Sequence, residues 1–432
     1  MKDFAASSDP AVQAQLDRLA ALSLPTGRLG LEVVRELLRR LGEPQLHLPP
    51  VLHVAGTNGK GSTCAYLTAM LQAEGLTVHS ATKPHLVRYN ERIRLAGRLI
   101  DDALLARLLA EVLDCAADLQ PSFFEVTTAA TFLAFARHPA DACVIEVGLG
   151  GRLDATNVLE HPAATAIASL GLDHEAFLLV PEDGAPAEPL VRIAYEKAGI
   201  ARAGSPMVTQ SYPQGMELEI QRLCADAGAP LHMRGHDWWA EITDDTIEYR
   251  DRHGALTLPL PALPGRHQAD NAALAVAMLR HQDRIAVPAA SLAQGIRAAR
   301  WPARLQLLGA GPLTAIAPDR AIWLDGGHNA DAGAAIARHF AGQRVHLVIG
   351  MLANRDPQAI IAPLAGSIAT LSAVPIAGSA AHETSAYGDG ARWFGEVADA
   401  LTALPQDGLP ALIAGSLYLA GKVLADNGEV PD

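Results

Sequence analysis

The stretch HVAGTNGKGST at residues 53–63 decides how the rest of the chain is read. It follows the apolar run VLHVA at 51–55 and opens a helix-like pattern. A glycine-rich turn between a strand and a helix is the context that a phosphate-binding loop requires. Gly56, Gly59 and Gly61 let the backbone turn and bring its N–H groups to a phosphate. The following helix adds the positive end of its dipole. Lys60 can reach the β- and γ-phosphates, and Ser62 can offer its hydroxyl to Mg2+. The loop is a variant of the GxxxxGK[ST] pattern: Val54 stands where the first glycine would be, and Gly61 separates Lys60 from Ser62.

Outward from this loop, short β-rich runs alternate with longer helical patterns. Residues 51–55, 142–147, 165–170 and 206–209 read as strands, and 103–119, 126–136 and 191–201 as helices. The first 45 residues read as two helices around Pro25-Thr26-Gly27. Strands separated by helices predict βαβ units and a parallel sheet buried on both faces. Residues 231–264 read as strands with a turn at His253-Gly254. A second alternating set starts after Trp301-Pro302: strand 321–324, helix 330–340, strand 345–349, helix 357–364, strand 371–375, helix 391–404 and strand 411–414. The expected fold class is α/β. A P-loop parallel-sheet ATP-binding domain spans 1–300, and a smaller Rossmann-like C-terminal domain spans 301–432, with the boundary near 298–304.

Composition narrows the function. The chain has 432 residues, half of them hydrophobic and 19% charged, so it can bury a sizeable core. Its net charge of −13 disfavours nucleic acid and anionic membranes as partners. Aromatics are only 5%, which disfavours base-stacking platforms. Cys64, Cys115, Cys143 and Cys224 form no CxxC and read as scattered thiols in a reduced compartment. No signal-like N-terminus is visible, and no apolar run reaches the ~18 residues of a spanning helix. The expectation is a soluble cytoplasmic protein with neither a membrane nor a nucleic-acid partner.

GTNGKGS opening a helix resembles the ATP loop of the Mur ligase superfamily, and further segments narrow the resemblance. In order come PHLVRYNERIR (84–94), SFFEVTTAATF (122–132), EVGLGGRLDATN (146–157), LDH (172–174), YEKAGI (195–200), NAA (271–273), WPARLQ (301–306), DGGHN (325–329), GML…RD (350–356) and GSLYLAG (415–421). Together, over about residues 15–425, these resemble the folylpolyglutamate synthase family, in particular its bacterial members that are also dihydrofolate synthases. The resemblance implies an ATP-dependent amide ligase that adds L-glutamate to dihydropteroate and to folates through an acyl phosphate. Its cofactors would be ATP and Mg2+, with two metal sites, and it would work as a monomer.

The resemblance also implies roles for particular residues. Lys60, His174 and Lys197 would be catalytic. Thr57, Asn58, Gly59, Lys60, Gly61, Ser62, Asn271, Arg304, Asp325 and His328 would bind ATP; Arg304 can pair with phosphate oxygens in a fork geometry. Lys60 and Arg304 fall on different expected domains, so closure would assemble the site. Ser62, Glu146, His174 and Lys197, the last as carbamyl-lysine, would hold metal; read alone, Lys197 is a solvated surface lysine. The pterin side would be Leu29, Gly30, Leu31, Ser122, Phe123, Phe124, Glu125, Leu153, Asp154 and Ala155. Phe123 and Phe124 offer apolar faces for a flat ring, and the Asp154 carboxylate can accept from a pterin edge.

Departures from the family pattern are mild except one. DGGHNA stands for the usual DGAHNP, Asn354-Arg355-Asp356 for Asp-Lys-Asp, and Ala303 for the glycine before Arg304; the stretch between His174 and Lys197 is long, with extra residues near 179–189. Lys83 stands where the family has a Mg2+-binding serine. An ammonium has no lone pair to give, so that metal site is in doubt; either Lys83 swings to solvent and water serves as the ligand, or, the favoured expectation, its charge pairs with Glu146 and the γ-phosphate. Two other readings stay open: a cell-wall Mur-type amino-acid ligase, and a nucleotide-binding homologue without catalysis, which Lys83 keeps alive.

Overall fold

The computed structural model describes residues 6–22, 30–376, 378 and 382–431. Leu29 and the Pro25-Thr26-Gly27 break lie outside the described residues. The chain divides into two compact units. The first holds residues up to Lys83, Tyr89–Ala262 and Gln268–Ala299; the second holds Pro84–Arg88, Leu263–His267 and residues from Arg300 onward.

Among the described residues the first unit carries an eight-stranded sheet: β1 (Val51–Ala55), β2 (Val78–Ala81), β3 (Ile93–Leu95), β4 (Arg98–Leu99), β5 (Ala142–Glu146), β6 (Ala164–Ile167), β7 (Met207–Thr209) and β8 (Leu231–Met233). Their order is β4-β3-β2-β5-β1-β6-β7-β8. The pairs from β2 to β8 are parallel, and β3 and β4 make an antiparallel edge. All of β1 is buried because it is flanked by parallel neighbours, Val54 pairing with Glu146 on one side and Ala166 on the other. From β1 the chain crosses towards β2, and from β5 it crosses back over β1 to β6. The sheet therefore changes direction at β1, and a crevice opens at the C-terminal ends of these strands. Glu146 ends β5 there, and the phosphate loop leaves β1 there.

The helices of this unit are α1 (Pro10–Ala20), α2 (Glu32–Arg40), α3 (Lys60–Ala73), α4 (Asp102–Cys115), α5 (Phe123–Arg137), α6 (Glu175–Leu178), α7 (Pro189–Ala198), α8 (Gln214–Ala227), α9 (Arg266–Arg280, entering at Gln268) and α10 (Ala289–Ala298). Helix α3 is buried nearly all round, with Tyr66, Leu67, Met70 and Leu71 in the core at about 2 kcal/mol each. It packs on α10 backbone to backbone: a side chain at Gly295 would meet the Met70 Cα. A small antiparallel sheet follows β8: β9 (Trp238–Ile242), β10 (Thr246–Asp251) and β11 (Gly254–Pro259). Asp251 pairs with Gly254, so the hairpin turns on Arg252-His253, one residue earlier than expected.

Among the described residues the second unit carries a six-stranded, mostly parallel sheet of β12 (Gln306–Leu307), β13 (Ile322–Leu324), β14 (Val345–Ile349), β15 (Ile368–Ala373), β16 (Arg392–Trp393) and β17 (Ala411–Ala414), ordered β12-β13-β17-β14-β15-β16. Its helices are α11 (Pro312–Ile316), α12 (Ala330–His339), α13 (Gln358–Leu364), α14 (Val397–Thr402) and α15 (Leu417–Asp426). The helix expected over 391–404 is a correction. Arg392 and Trp393 pair with Ser372 and Ala373 as an edge strand, and Gly395 separates that strand from a six-residue helix. Among the described residues no helix is long and apolar enough to cross a membrane.

Candidate functional site

The loop after β1 is held by its own side chains before any ligand arrives. Thr57 N–H donates to Ser169 O at 2.7 Å, the Thr57 hydroxyl donates to Gly171 O at 2.9 Å, and Gly171 N–H returns a bond to that hydroxyl at 3.1 Å. The Ser169 hydroxyl donates to Asn58 O. Thr57 is thus an anchor of the loop. Gly56 and Gly59 have φ of 150° and 83°, and each faces a near neighbour: Ala168 Cβ lies 2.9 Å and Asn271 Oδ1 2.3 Å from where a Cβ would stand. Glycine is required at both. Asn271 therefore sits directly over Gly59. Helix α3 begins at Lys60, and its first intrahelical N–H is that of Thr63, bonded to Gly59 O. The N–H groups of Lys60, Gly61 and Ser62 precede it at the positive end of the helix.

Lys60 curls back on the loop, its Nζ donating to Gly56 O at 3.0 Å and Thr57 O at 3.2 Å. Lys197 reaches the same place from α7, its Nζ donating to Gly56 O at 2.9 Å. Its sequence alone reads as a surface residue, yet Lys197 is buried. Burial first, and Lys60 second, push its amine from 10.5 down to about 7; Asp173, Asp154 and Glu196 pull the other way. Asp173 is buried and takes the His174 N–H on its Oδ1 at 2.7 Å. Sequence reasoning singled out the histidine of LDH and missed this aspartate, whose charge favours the protonated form of the buried lysine. His174 is in the left-handed region, φ 53°.

Buried Glu146 accepts from the Lys83 backbone N–H at 3.0 Å. This corrects the expected side-chain pairing: the lysine meets Glu146 through its main chain. The Lys83 side chain runs beside Gly148, where a Cβ would lie 3.5 Å from its Nζ and 3.0 Å from Asp154 Oδ2. Burial lowers the Lys83 pKa, against attraction from Asp154 and then Glu146 and repulsion from Arg92.

Asp154 is wholly engaged inside its own loop. Oδ2 accepts from Gly148 and Leu149 N–H, and Oδ1 accepts from Thr156 N–H and, at 2.5 Å, from the Thr156 hydroxyl. The Thr156 oxygen in turn meets His53 Nε2 at 2.9 Å. Because Thr156 gives its proton to Asp154, His53 is the donor to Thr156, and burial keeps this imidazole neutral down to about 3.

The aromatic side is built on the start of α5. Ser122 and Glu125 form a capping box, Glu125 Oε2 accepting from Ser122 N–H and Ser122 Oγ from Glu125 N–H. Those two side chains therefore cap the helix. Phe123 meets Tyr89 and Phe124 edge to face, with ring centroids 6.0 and 5.3 Å apart. Arg92 lies over both Tyr89 and Phe123. Leu31, Tyr89 and Ala155 belong to one apolar cluster on which Phe123 packs, while Phe124 is exposed. Leu31, Phe123 and Ala155 thus all contribute to the same extended apolar core. Gly30 is exposed beside Glu32, and Leu153 is half-buried.

In the second unit, Arg304 stands between two left-handed residues, Ala303 at φ 56° and Leu305 at φ 45°. Asp325 secures this turn, accepting from Leu305 N–H at 2.8 Å and Gly327 N–H at 2.7 Å. Burial raises the Asp325 pKa and Arg304 opposes the rise. His328 is half-buried, its Nδ1 3.1 Å from Gly326 O. Arg304, Asp325 and His328 are therefore close together within this unit.

No protein-family model matches the chain. It is 36% identical over 368 residues to the dihydrofolate synthase/folylpolyglutamate synthase of Escherichia coli, covering 83% of this chain and 79% of that protein. The structure of E. coli FolC in complex with DHPP and ADP matches with a TM-score of 0.84 at 30% identity over 97% of both chains. A bifunctional folylpolyglutamate synthase/dihydrofolate synthase with Mn, AMPPNP and L-glutamate bound matches with a TM-score of 0.82 at 30% identity, covering 97% of this chain and 99% of that one.

Proposed function

The chain belongs to the dihydrofolate synthase/folylpolyglutamate synthase family, and on that premise we propose that it is an ATP-dependent ligase joining L-glutamate to dihydropteroate and to folates. The observation that carries this reading is the meeting of Lys60, from the start of α3, and buried Lys197, from the end of α7, on the Gly56 carbonyl. A positively charged, preformed loop end at the mouth of a parallel sheet is what a transferring phosphoryl group needs.

In the first step a carboxylate oxygen of the pteroyl substrate attacks the γ-phosphorus of ATP. The bond to the bridging oxygen breaks, ADP leaves and an acyl phosphate forms. Lys60 exchanges its loop carbonyls for phosphate oxygens, and the N–H groups at the start of α3 hold those oxygens as charge spreads over them. In the second step the amino nitrogen of glutamate attacks the acyl carbon and loses a proton. Inorganic phosphate leaves with the electrons of the C–O bond. Arg304, Asp325 and His328 are proposed as nucleotide contacts of the second unit. Leu31, Phe123, Phe124, Leu153 and Ala155 are proposed to receive the pterin, on a loop that Asp154 holds in shape.

Buried Ser62 and Glu146 are oxygen donors and suit a hard divalent cation, to which His174 would add a nitrogen donor. Lys197 fits as a carbamate: the neutral amine is well populated near pH 7, adds to CO2 and releases one proton. Lys83 does not fit as a ligand, since its ammonium offers no lone pair. A divalent cation held by the others supplies positive charge against the transferring phosphoryl group. All four cysteines are unpaired, which suits a reducing compartment, and we place the enzyme, as a monomer, in the cytoplasm. Phosphate release tests the whole reading, with dihydropteroate, tetrahydrofolate or a UDP-muramoyl acceptor, each with and without L-glutamate. Release should need glutamate together with a pteroyl acceptor. Release with the UDP-muramoyl acceptor, or none under any condition, would overturn it.

A further inference from the structure

The chain between His174 and α7 is tied down by one carboxylate. Glu182 Oε2 lies 2.6 Å from Arg152 Nη2 and 2.9 Å from Arg192 Nη2. Glu196 completes a ring of four charges, its Oε1 lying 2.8 Å from Arg152 Nη2 and 3.0 Å from Arg192 Nη2. The two guanidiniums also share the Tyr195 ring, 4.9 and 5.1 Å from its centroid. The side chains of Arg192 and Glu196 are 7% and 6% exposed, and those of Glu182 and Arg152 16% and 20%. Arg192 further donates to Leu178 O and Val180 O, holding the entry of the same segment.

The network connects the parts of the site. Arg152 belongs to the loop that follows Glu146, and its backbone N–H donates to Glu196 O at 2.7 Å. Side chains at Gly151 and Gly199 would collide with the Lys197 carbonyl and with Arg152, so loop and helix end are in direct contact. Asn157 donates to both Arg152 O and Gly199 O. Glu182 alone comes from the connecting segment. Without it, one buried and one half-buried guanidinium would share the single carboxylate of Glu196 and repel each other across Tyr195. The segment would keep the bonds from Arg192 to Leu178 O and Val180 O but lose its tie to Arg152, between His174 at one end and α7 with Lys197 at the other.

We propose that Glu182 is a positioning residue for the ligase reaction: by bridging Arg152 and Arg192 it holds His174 and Lys197 in their working arrangement. This rests on the reading that those two residues serve the site. Glu182 bonds to Arg152 and Arg192, neither of which belongs to the phosphate loop that Thr57 anchors, so its loss acts on turnover and leaves ATP capture in place.

The test uses the full chain and ADP release dependent on both glutamate and dihydropteroate. Glu182→Ala should lower kcat by about tenfold to a hundredfold while KM for ATP stays within about twofold. Acetate should restore much of the loss by filling the space between the guanidiniums. Glu182→Asp should stay close to wild type and Glu182→Gln should not. Amide hydrogen exchange over residues 175–188 should speed up in Glu182→Ala and slow again with acetate, a readout independent of activity. Wild-type kcat and exchange in Glu182→Ala, or a loss that neither acetate nor the aspartate variant restores, would overturn the proposal. Normal turnover by His174→Ala and Lys197→Ala would instead remove the reading beneath it, and the exchange data would still decide whether Glu182 orders the segment.

Discussion

Lys60 and Lys197 compete for a single acceptor, the carbonyl oxygen of Gly56, at 3.0 and 2.9 Å. Two ammonium groups on one oxygen repel each other, and the one that is fully enclosed yields its proton more readily. The shared acceptor ties the end of α7 to the loop that follows β1.

Lys60→Ala should abolish ATP turnover, by at least about a hundredfold, in a protein that still melts cooperatively near the wild-type temperature. The side chain is partly exposed and bonds only to carbonyls of its own loop. ADP release and a thermal melt check this; an unfolded variant would argue that the lysine holds the fold rather than the phosphate.

Lys197→Met should stabilise the metal-free protein in CO2-free buffer, by up to a few kcal/mol at pH 7. The sign follows from the lowered pKa. The unfolded lysine holds its proton up to 10.5 and the folded one only up to about 7. The penalty for burying the ammonium is therefore full below pH 7 and fades as pH rises through 7 towards 10.5. Denaturant melts should show a larger gain at pH 6 than at pH 10; a gain independent of pH would mean that the lysine is neutral throughout.

Lys83→Ser should raise the Mg2+ dependence of ATP turnover without abolishing it. On the proposed reading the wild-type ammonium, drawn to Asp154 and then Glu146, stands in for one cation, and a hydroxyl leaves that charge to be supplied from solution. The main-chain bond to Glu146 survives the change. Superimposable Mg2+ titrations of the two proteins would refute this.

Ala303→Gly should be nearly neutral, within about 1 kcal/mol of wild type, because relief of the left-handed backbone offsets the lost methyl group and the added freedom of the unfolded chain. Ala275→Gly, equally buried but inside α9, should cost about 1–2 kcal/mol. Chemical denaturation of both variants makes the comparison; equal losses would show that Ala303 carries no strain.

Glycines and strand ends made the phosphate loop legible, since Gly56 and Gly59 occupy positions where a side chain collides with Ala168 or Asn271. Strand β2 went unread because His79 and Ser80 look polar, although both are buried and His79 stacks on Phe135. The 391–404 run is apolar enough for a helix, but partnership with β15 claims Arg392 and Trp393, a tertiary effect outside local pattern. Ser122-Phe-Phe-Glu125 is legible twice over: as part of a family segment and as a capping box, and the structure shows the box. What local pattern could not disclose is depth. YEKAGI at 195–200 has the same letters whether Lys197 lies in water or, as found, beneath the loop of β1.

The clamp that Thr57 places between its loop and residues 169–171 has a kinetic consequence. A backbone so tied does not search through conformations when nucleotide collides with it, and the Lys60 side chain is the part of the loop that must move. Encounter frequency, rather than loop rearrangement, then limits the loop's first contact with ATP, and the slower events of a catalytic cycle fall to other parts of the molecule.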